Sequence, residues 1–186
     1  MNPPFILHDE QSAPAESLPT LEHSRKSLGT IPNLERVMAE APTLLKGYWA
    51  LWDLFDQTSF SPAERQVVYL VANFENHCTY CVPWHTLLAK SAKLNPACIQ
   101  ALRDGTPLPD PKLNALAIFT RQMIEHRGHP PQEAMDDFFA AGWQARQALE
   151  VVLGLAVKVM SNYTNGIAGT PLDEQVKHLS WTKPTI

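Results

Sequence analysis

The segment SPAERQVVYLVANFENHCTYCVPWH, residues 61–85, contains two predicted helices and a pair of cysteines at the start of the second. Ser61 and Glu64 stand three residues apart at the head of the first helix, in the pattern of a capping box, and a proline follows Ser61. The valines, leucine and phenylalanine that come next form a broad apolar face. A new helix is predicted to begin near Cys78, with Pro83 in its first turn, where no N–H partner is needed.

The rest of the chain from Asn33 onward has the same helical spacing, and no run with a two-residue period has the composition of a strand. The sequence therefore predicts an all-α fold of about seven or eight helices. The last helix, QARQALEVVLGLAVKVMSNYTNGIAG (144–169), has apolar residues around most of its circumference, which predicts a central or interfacial position. Residues 1–30 are rich in proline, serine and glutamate, and we expect an extended N-terminal arm before a single domain, 31–186.

Composition excludes several classes of function. The chain has 186 residues, 45% of them hydrophobic, and a formal net charge of −4. It contains no basic block, which argues against nucleic acid as a partner. No apolar run is long enough to predict a membrane span, and the N-terminus lacks the basic and apolar regions of a secretory signal, so we expect a cytoplasmic protein.

The cysteine pair has the spacing of a redox site. Two cysteines at positions i and i+3 of a helix start can bring their sulfurs together, and the helix N-terminus favours thiolate over thiol. His85 follows Cys81 by four residues and is therefore predicted to lie on the same helix face, where it can accept the thiol proton. The spacing thus supplies a nucleophile, Cys81, which a peroxide would convert to a sulfenic acid, and a second thiol, Cys78, which would condense with it to a disulfide.

Two other interpretations of the pair remain open. His77 and His85 flank the cysteines and could join them as metal ligands, but no second ligand pair of zinc-site spacing follows downstream. The cysteines could instead be small buried hydrophobic residues, which is also the expectation for the isolated Cys98.

Some aromatic and amide side chains also have two interpretations. Trp49, Trp52 and Trp84 could line a pocket for an organic hydroperoxide, or they could belong to the core or a subunit interface. Asn162 and Asn165 could orient a substrate, or they could cap the end of the last helix.

Residues 61–85 resemble the core motif of AhpD-like alkylhydroperoxidases, in the carboxymuconolactone decarboxylase superfamily, and SNYTNGIAGTPLDE (161–174) is similar to that superfamily's closing segment. The resemblance implies an all-helical AhpD-like bundle that assembles as a homo-oligomer, commonly a dimer, trimer or hexamer. It also implies that Cys81 reacts with peroxide, that the more accessible Cys78 forms the disulfide and meets the reductant, and that His85 belongs to a proton relay.

The sequence departs from the family motif at two positions. Gln66 replaces a glutamate and Tyr80 replaces a histidine, so the expected relay lacks its carboxylate. With the thiol pair intact, the function expected is a thiol-dependent peroxidase or disulfide reductase that reduces organic hydroperoxides with an external dithiol, without metal or organic cofactor. The alternatives are a non-enzymatic redox-sensing or metal-binding oligomer and the superfamily's decarboxylase branch, whose chemistry does not require a thiol pair.

Overall fold

The computed structural model describes residues 1–185, and Ile186, the last residue of the predicted domain 31–186, lies outside the described residues. The described chain contains helices and connecting segments and no strand, which confirms the all-α prediction. Eight of its nine α-helices have nine or more residues, in agreement with the predicted seven or eight. The α-helices are α1 (Leu18–Leu28), α2 (Asn33–Met38), α3 (Pro42–Asp56), α4 (Pro62–Glu75), α5 (Cys81–Ser91), α6 (Pro96–Asp104), α7 (Pro111–Glu125), α8 (Gln132–Ala140) and α9 (Ala145–Ala168), with 3-10 helices at Ala15–Ser17 and Glu174–Leu179.

Helix α4 lies at the centre of the fold. The predicted capping box begins it, with Glu64 N–H donating to Ser61 Oγ (3.3 Å) and Ser61 N–H donating to the Glu64 carboxylate (2.7 Å). Nine consecutive residues, 66–74, are buried because α5, α7 and α9 pack around this helix. Polar side chains on α4 are therefore buried too, and they need partners within the protein.

Helix α9 packs against α3 and α4 through a glycine and leaves one face exposed. A Cβ atom at Gly154 would lie 2.7 Å from the Phe55 ring and 2.9 Å from Val68, so only glycine permits this close approach. The opposite face carries an exposed apolar stripe, spaced three, seven, four and four residues apart, which consists of Leu149, Val152, Val159, Tyr163 and Ile167. No helix within residues 1–185 is both long enough and apolar enough to span a bilayer.

A tight turn joins α4 to α5 and places the cysteine pair. His77 has a φ of +54°, in the left-handed region, and the next N–H, that of Cys78, donates to the Asn73 carbonyl (2.9 Å). The Cys78 carbonyl accepts from Val82 N–H (3.1 Å). Helix α5 itself begins at Cys81, three residues after the predicted start, because residues 78–80 form the turn that leads into it.

The N-terminal segment is more ordered than the sequence analysis expects. The prediction of an extended arm is wrong for residues 15–28, which form a 3-10 turn and helix α1. Leu21 and Ser24 are buried on one face of α1, which packs against α3. This segment has too few apolar residues for a helical period to be visible in the sequence. Its helix is stabilised by burial against the body of the protein. The limit of the domain at residue 31 stays a prediction.

Candidate active site

The sulfur of Cys81 lies at the first residue of α5 and receives two amide hydrogen bonds from α9. Asn162 Nδ2 donates to it at 3.1 Å and Asn165 Nδ2 at 3.2 Å. Lys158 precedes these asparagines by four and seven residues, so the three side chains share one face of α9. All three are buried, and Lys158 is only 1% exposed.

This environment favours the thiolate form of Cys81. Burial by itself raises the pKa of the thiol, but a hydrogen bond from the Cys78 thiol, the charge of Lys158 and the two asparagine amides outweigh burial and lower the pKa to about 6. Cys81 is therefore mostly ionised at neutral pH.

Cys78 has the opposite character. Burial and its interaction with the Cys81 sulfur raise the pKa of the Cys78 thiol well above its usual value, so it stays protonated. Its own sulfur accepts the backbone N–H of Cys81 (3.2 Å). The pair is thus one thiolate and one thiol in contact, both free cysteines.

The Asn162 amide joins Cys81 to a polar network between α4 and α9. Its Nδ2 also donates to Asn73 Oδ1 (2.9 Å), and its Oδ1 accepts from Asn76 Nδ2 (2.9 Å). In the turned-over orientation of this amide, Nδ2 donates to the carbonyls of Ala72 and Lys158 (both 3.3 Å) and the oxygen faces the sulfur, so the Asn165 amide is the donor to Cys81 that does not depend on this orientation.

His85 contacts Lys158 and Gln66 rather than Cys81. Its Nε2 lies 2.9 Å from Lys158 Nζ, and its Nδ1 lies 2.8 Å from Gln66 Oε1. Burial and the neighbouring charge of Lys158 lower the pKa of His85 well below its usual value, so the imidazole is neutral, accepts from Lys158 and donates to Gln66. Among the hydrogen bonds of residues 1–185, none joins Cys81 to His85. The partner of His85 Nε2 is Lys158 instead.

An apolar cavity of about 40 Å³ reaches Cys81. The three tryptophans that had two interpretations, Trp49, Trp52 and Trp84, all line it. Cys81, His85, Lys158 and Glu35 also line it, and the exposed lining is almost entirely apolar. By the usual space a buried water needs, the cavity accommodates about three water-sized groups.

A separate and more polar pocket of about 230 Å³ reaches Cys78. It is lined by residues of the α4–α5 turn and of the end of α9, namely Asn76, His77, Cys78, Thr79, Tyr80, Asn162, Asn165, Gly166, Gly169 and Thr170. The two cysteines therefore face two different cavities.

Tyr80 fastens the cysteine turn to the C-terminal segment. Its hydroxyl donates to Asp173 Oδ2 (2.5 Å) and accepts Leu34 N–H (3.0 Å). Trp84 Nε1 donates to the same Asp173 oxygen (2.9 Å), and Asn33 N–H donates to the other (3.0 Å). At the position where the resemblance expects a histidine, this tyrosine has a structural partner, and its pKa is raised by burial and by Asp173.

Two polar residues of the site were missed by sequence reasoning. Lys158 carries a detectable signal, since it is the one charged residue in VVLGLAVKVM and shares a helix face with the two asparagines. Glu35 carries none, because NLERVM resembles an ordinary surface helix. Cys98 is buried in the core, as expected for an isolated cysteine.

A preformed metal site is absent from the described part of the chain, where no three His, Cys, Asp or Glu side chains come together in a suitable arrangement. The metal-binding alternative for the cysteine pair therefore has no ready ligand set in residues 1–185.

Comparison with known proteins identifies the fold. No protein-family model matches the sequence, and no curated protein matches it. A peroxidase-related protein from Ralstonia eutropha JMP134, described as an alkylhydroperoxidase AhpD core, superposes with a TM-score of 0.82 at 15% identity over 92% of this chain and 93% of that one. A peroxidase-related protein from Silicibacter sp. TM1040 gives a TM-score of 0.77 at 17% identity over 93% and 92%.

A third similar structure is the debrominase Bmp8, solved as a cysteine-to-alanine variant in complex with 2,3,4-tribromopyrrole. It gives a TM-score of 0.79 at 16% identity over 96% of each chain. The resemblance that the sequence motifs suggest is thus confirmed for the three-dimensional architecture: the chain has an AhpD-like fold.

Proposed function

We propose that this protein is a thiol-dependent peroxidase that reduces organic hydroperoxides with an external dithiol. The observation that carries the proposal is the environment of Cys81, whose sulfur accepts two buried amide hydrogen bonds and lies close to the charge of Lys158. A thiolate is the form of cysteine that attacks a peroxide. The similarity of fold to peroxidase-related proteins supports the same class of reaction.

The proposed reaction uses the two cysteines in sequence. The Cys81 thiolate attacks the terminal oxygen of R–O–O–H, the S–O bond forms as the O–O bond breaks, and Cys81 becomes a sulfenic acid while the alkoxide takes up a proton to give an alcohol. The Cys78 thiol then attacks the Cys81 sulfur, which forms the disulfide and releases water. A dithiol reduces that disulfide and is itself oxidised to a disulfide, so one hydroperoxide yields one alcohol and one water.

Lys158 acts on Cys81 through its charge, and no hydrogen bond joins the two side chains among residues 1–185. Burial lowers the pKa of Lys158 and the neighbouring Cys81 raises it, and as an ammonium Lys158 stabilises the thiolate through its charge. His85 acts one step away by accepting a hydrogen bond from Lys158, and Gln66 fixes the imidazole from the other side. In this arrangement the relay does not need the carboxylate that Gln66 replaces.

The two cavities suit the two reaction partners. The apolar lining of the cavity that reaches Cys81 matches the organic part of a hydroperoxide in polarity, and the polar pocket of about 230 Å³ that reaches Cys78 suits an approaching dithiol. We propose the cytoplasm as the compartment, because a reducing environment supplies such dithiols.

The test is consumption of tert-butyl hydroperoxide by the reduced protein with dithiothreitol as the dithiol. We expect turnover by the wild type and a Cys78–Cys81 disulfide after one equivalent of peroxide, read by mass spectrometry. Cys98→Ser serves as the matched control, since that cysteine lies outside the site, and it should react like the wild type. Absence of both turnover and disulfide in the wild type would refute the proposal, and disulfide formation without turnover would favour the redox-sensing alternative.

A second candidate is reductive debromination of an aromatic compound. The aromatic wall of the apolar cavity favours it, together with the similarity of fold to the debrominase Bmp8. Bromide release from 2,3,4-tribromopyrrole in the presence of dithiothreitol measures this activity directly. If bromide release were much faster than peroxide consumption, debromination would replace peroxide reduction as the proposed function.

We also propose that the exposed stripe of α9 contacts a second copy of the chain, in keeping with the homo-oligomer that the resemblance implies. Five large apolar side chains on one helix face form an apolar patch of the kind that interfaces bury. Light scattering should give a mass of at least twice that of one chain, which is 20.8 kDa. Tyr163→Glu combined with Ile167→Glu should reduce the mass to that of one chain, and a wild type that is already a monomer would refute the proposal.

A further inference from the structure

Glu35 is a buried acid at the cavity that reaches Cys81, and the steps proposed so far do not use it. It belongs to the short helix α2 and is only 2% exposed. Its side chain lines the same cavity of about 40 Å³ as Cys81 and Lys158. A hydroperoxide that enters this cavity therefore meets a wall to which both Cys81 and Glu35 belong.

The carboxyl group of Glu35 is held by a neighbouring donor rather than by a cation. Trp49 Nε1 donates to its Oε2 at 2.9 Å. Among the described residues no Lys, Arg or His lies within ion-pair distance of it. A buried carboxyl group without a cationic partner favours its protonated form.

The proposed reaction requires such an acid. Attack of a thiolate on the terminal peroxide oxygen expels an alkoxide, which is a strong base and a poor leaving group unless it is protonated as the O–O bond breaks. Lys158 already compensates the charge of the Cys81 thiolate, and the neutral His85 donates its Nδ1–H to Gln66 Oε1. Glu35 is the remaining acidic group among the residues that line the cavity, apart from two buried tyrosines.

We propose that Glu35 is a catalytic general acid that protonates the leaving oxygen of the hydroperoxide. The inference rests on the proposed peroxidase function and adds a residue to it. As the S–O bond forms and the O–O bond breaks, the Glu35 proton moves to the alkoxide, which gives the alcohol and a Glu35 carboxylate. When the dithiol has reduced the disulfide, the proton released by Cys81 returns to Glu35, and the cycle closes.

The electrostatics of the cavity agree with this role. The pKa of Glu35 is raised to about 7, mainly by burial and to a smaller extent by the charge of Asp173. Hydrogen bonds from Ser24 and Trp49 act in the opposite direction. Between about pH 6 and about pH 7, Cys81 is therefore mostly a thiolate while Glu35 is mostly protonated. The other titratable groups that line the cavity or act on Glu35 are Tyr48 on α3, Tyr80 before α5, Cys81 and His85 on α5, Lys158 on α9 and Asp173 in the C-terminal segment.

The experiment measures single-turnover oxidation of reduced wild type and Glu35→Gln by two oxidants. Glutamine keeps the size of the side chain and an acceptor for Trp49 but has no proton to donate. With tert-butyl hydroperoxide, which expels an alkoxide, we expect the variant to be about 10²-fold slower. With peracetic acid, which expels the weakly basic acetate, we expect the rates to agree within about threefold, since little protonation is needed.

Two controls separate an acid from a structural residue. Iodoacetamide alkylates Cys81 and expels iodide without a proton, so wild type and Glu35→Gln should react alike, and Glu40→Gln, on the segment that follows α2, should resemble the wild type in every assay. Equal losses of Glu35→Gln with all three reagents would overturn the proposal, and so would an unchanged rate with tert-butyl hydroperoxide. A wild type that does not react with peroxide at all would instead refute the proposed function.

The pH profile gives an independent readout. The wild-type rate with tert-butyl hydroperoxide should rise as Cys81 ionises near pH 6 and fall as Glu35 ionises near pH 7. Trp49→Phe removes a hydrogen bond that favours the carboxylate, so it should move the falling limb to higher pH and leave the rising limb in place. A falling limb that does not move in Trp49→Phe would overturn the assignment, even if Glu35→Gln failed to fold.

Discussion

Cys78 and Cys81 are the same residue type, three positions apart in one turn, yet they differ in chemistry. Cys81 faces an apolar cavity, accepts hydrogen bonds from two amides and has a pKa of about 6. Cys78 faces a polar pocket, and its pKa is raised by burial and by its neighbour. The short motif therefore supplies two sulfurs, and the difference between them comes from the hydrogen bond that the Cys78 thiol gives Cys81 and from Lys158, Asn162 and Asn165 on a distant helix.

This difference limits the usual explanation for reactive cysteines at helix starts. The N-terminus of α5 contributes partial positive charge to any thiol placed there. Both cysteines belong to the same turn, however, and the amides of α9 approach Cys81 more closely, at 3.1 and 3.2 Å, than Cys78, which Asn165 Nδ2 reaches at 3.8 Å. Local helix geometry explains why the sulfurs are close together, and tertiary contacts explain which of them is ionised.

The sharpest test of this difference replaces each cysteine by serine. Cys81→Ser should remove peroxide turnover down to the uncatalysed background, because it removes the attacking thiolate. Cys78→Ser should also stop turnover with a dithiol, but it should still consume one equivalent of peroxide and leave a sulfenic acid at Cys81 that dimedone traps. Dimedone labelling at Cys78 in the Cys81→Ser variant would reverse the two roles.

The next largest effect is expected from Lys158→Met, which keeps the length of the side chain and removes its charge. The pKa of Cys81 should rise by about two units, so the rate of iodoacetamide alkylation at pH 6 should fall about fiftyfold. The variant should be less stable to unfolding than the wild type, because it removes one partner of a buried charged group and leaves His85 Nε2 without its donor. An unchanged midpoint of the alkylation pH profile would show that Lys158 does not lower the pKa of Cys81.

A smaller effect is expected from Asn165→Ala, which removes one of the two amide donors to Cys81. One hydrogen bond to a charged group contributes enough to raise the pKa of the thiol by about one unit, so alkylation at pH 6 should slow about fivefold. Asn165 is a cleaner test than Asn162, which also holds two asparagines of the α4 region. If Asn165→Ala raised the pKa of Cys81 as much as Lys158→Met does, the amide hydrogen bonds would stabilise the thiolate at least as strongly as the charge of Lys158.

The smallest effect is expected from His85→Ala. Because the imidazole contacts Lys158 and Gln66 rather than the sulfur, alkylation of Cys81 at pH 6 should change by less than about threefold. A direct general base would instead contribute about 10²-fold to the rate with peroxide. A loss of that size at every pH, measured by stopped-flow oxidation, would restore the direct pairing that the sequence suggests.

Much of the fold could be predicted from the sequence because its signals are local. The capping box at Ser61 and Glu64, the helical periods and the position of the cysteine pair all depend on neighbours within a few residues. Helix α1 escaped prediction for the complementary reason, since its stability comes from packing Leu21 and Ser24 against the body of the protein.

The site was only partly predictable from the sequence. Its local residues could be predicted, and those that depend on how the helices pack could not. Cys78, Cys81 and His85 are adjacent in sequence, so a spacing argument finds them. A lysine in an apolar helix can point its charge to solvent, and whether Lys158 does so depends on how α9 packs, which no local pattern records. The same holds for Glu35, whose burial depends on the helices around α2.

The Lys158 position has a consequence for how this protein's relatives could diverge. A single lysine-to-methionine change would leave the cysteine spacing, the helix lengths and the outer face of α9 as they are, while it converts a reactive sulfur into an ordinary one. Gain or loss of activity could thus occur in one mutational step at a site distant from the motif. Two homologous chains with identical cysteine motifs need not share a chemistry, and the residue at this position on α9 is the place to look for the distinction.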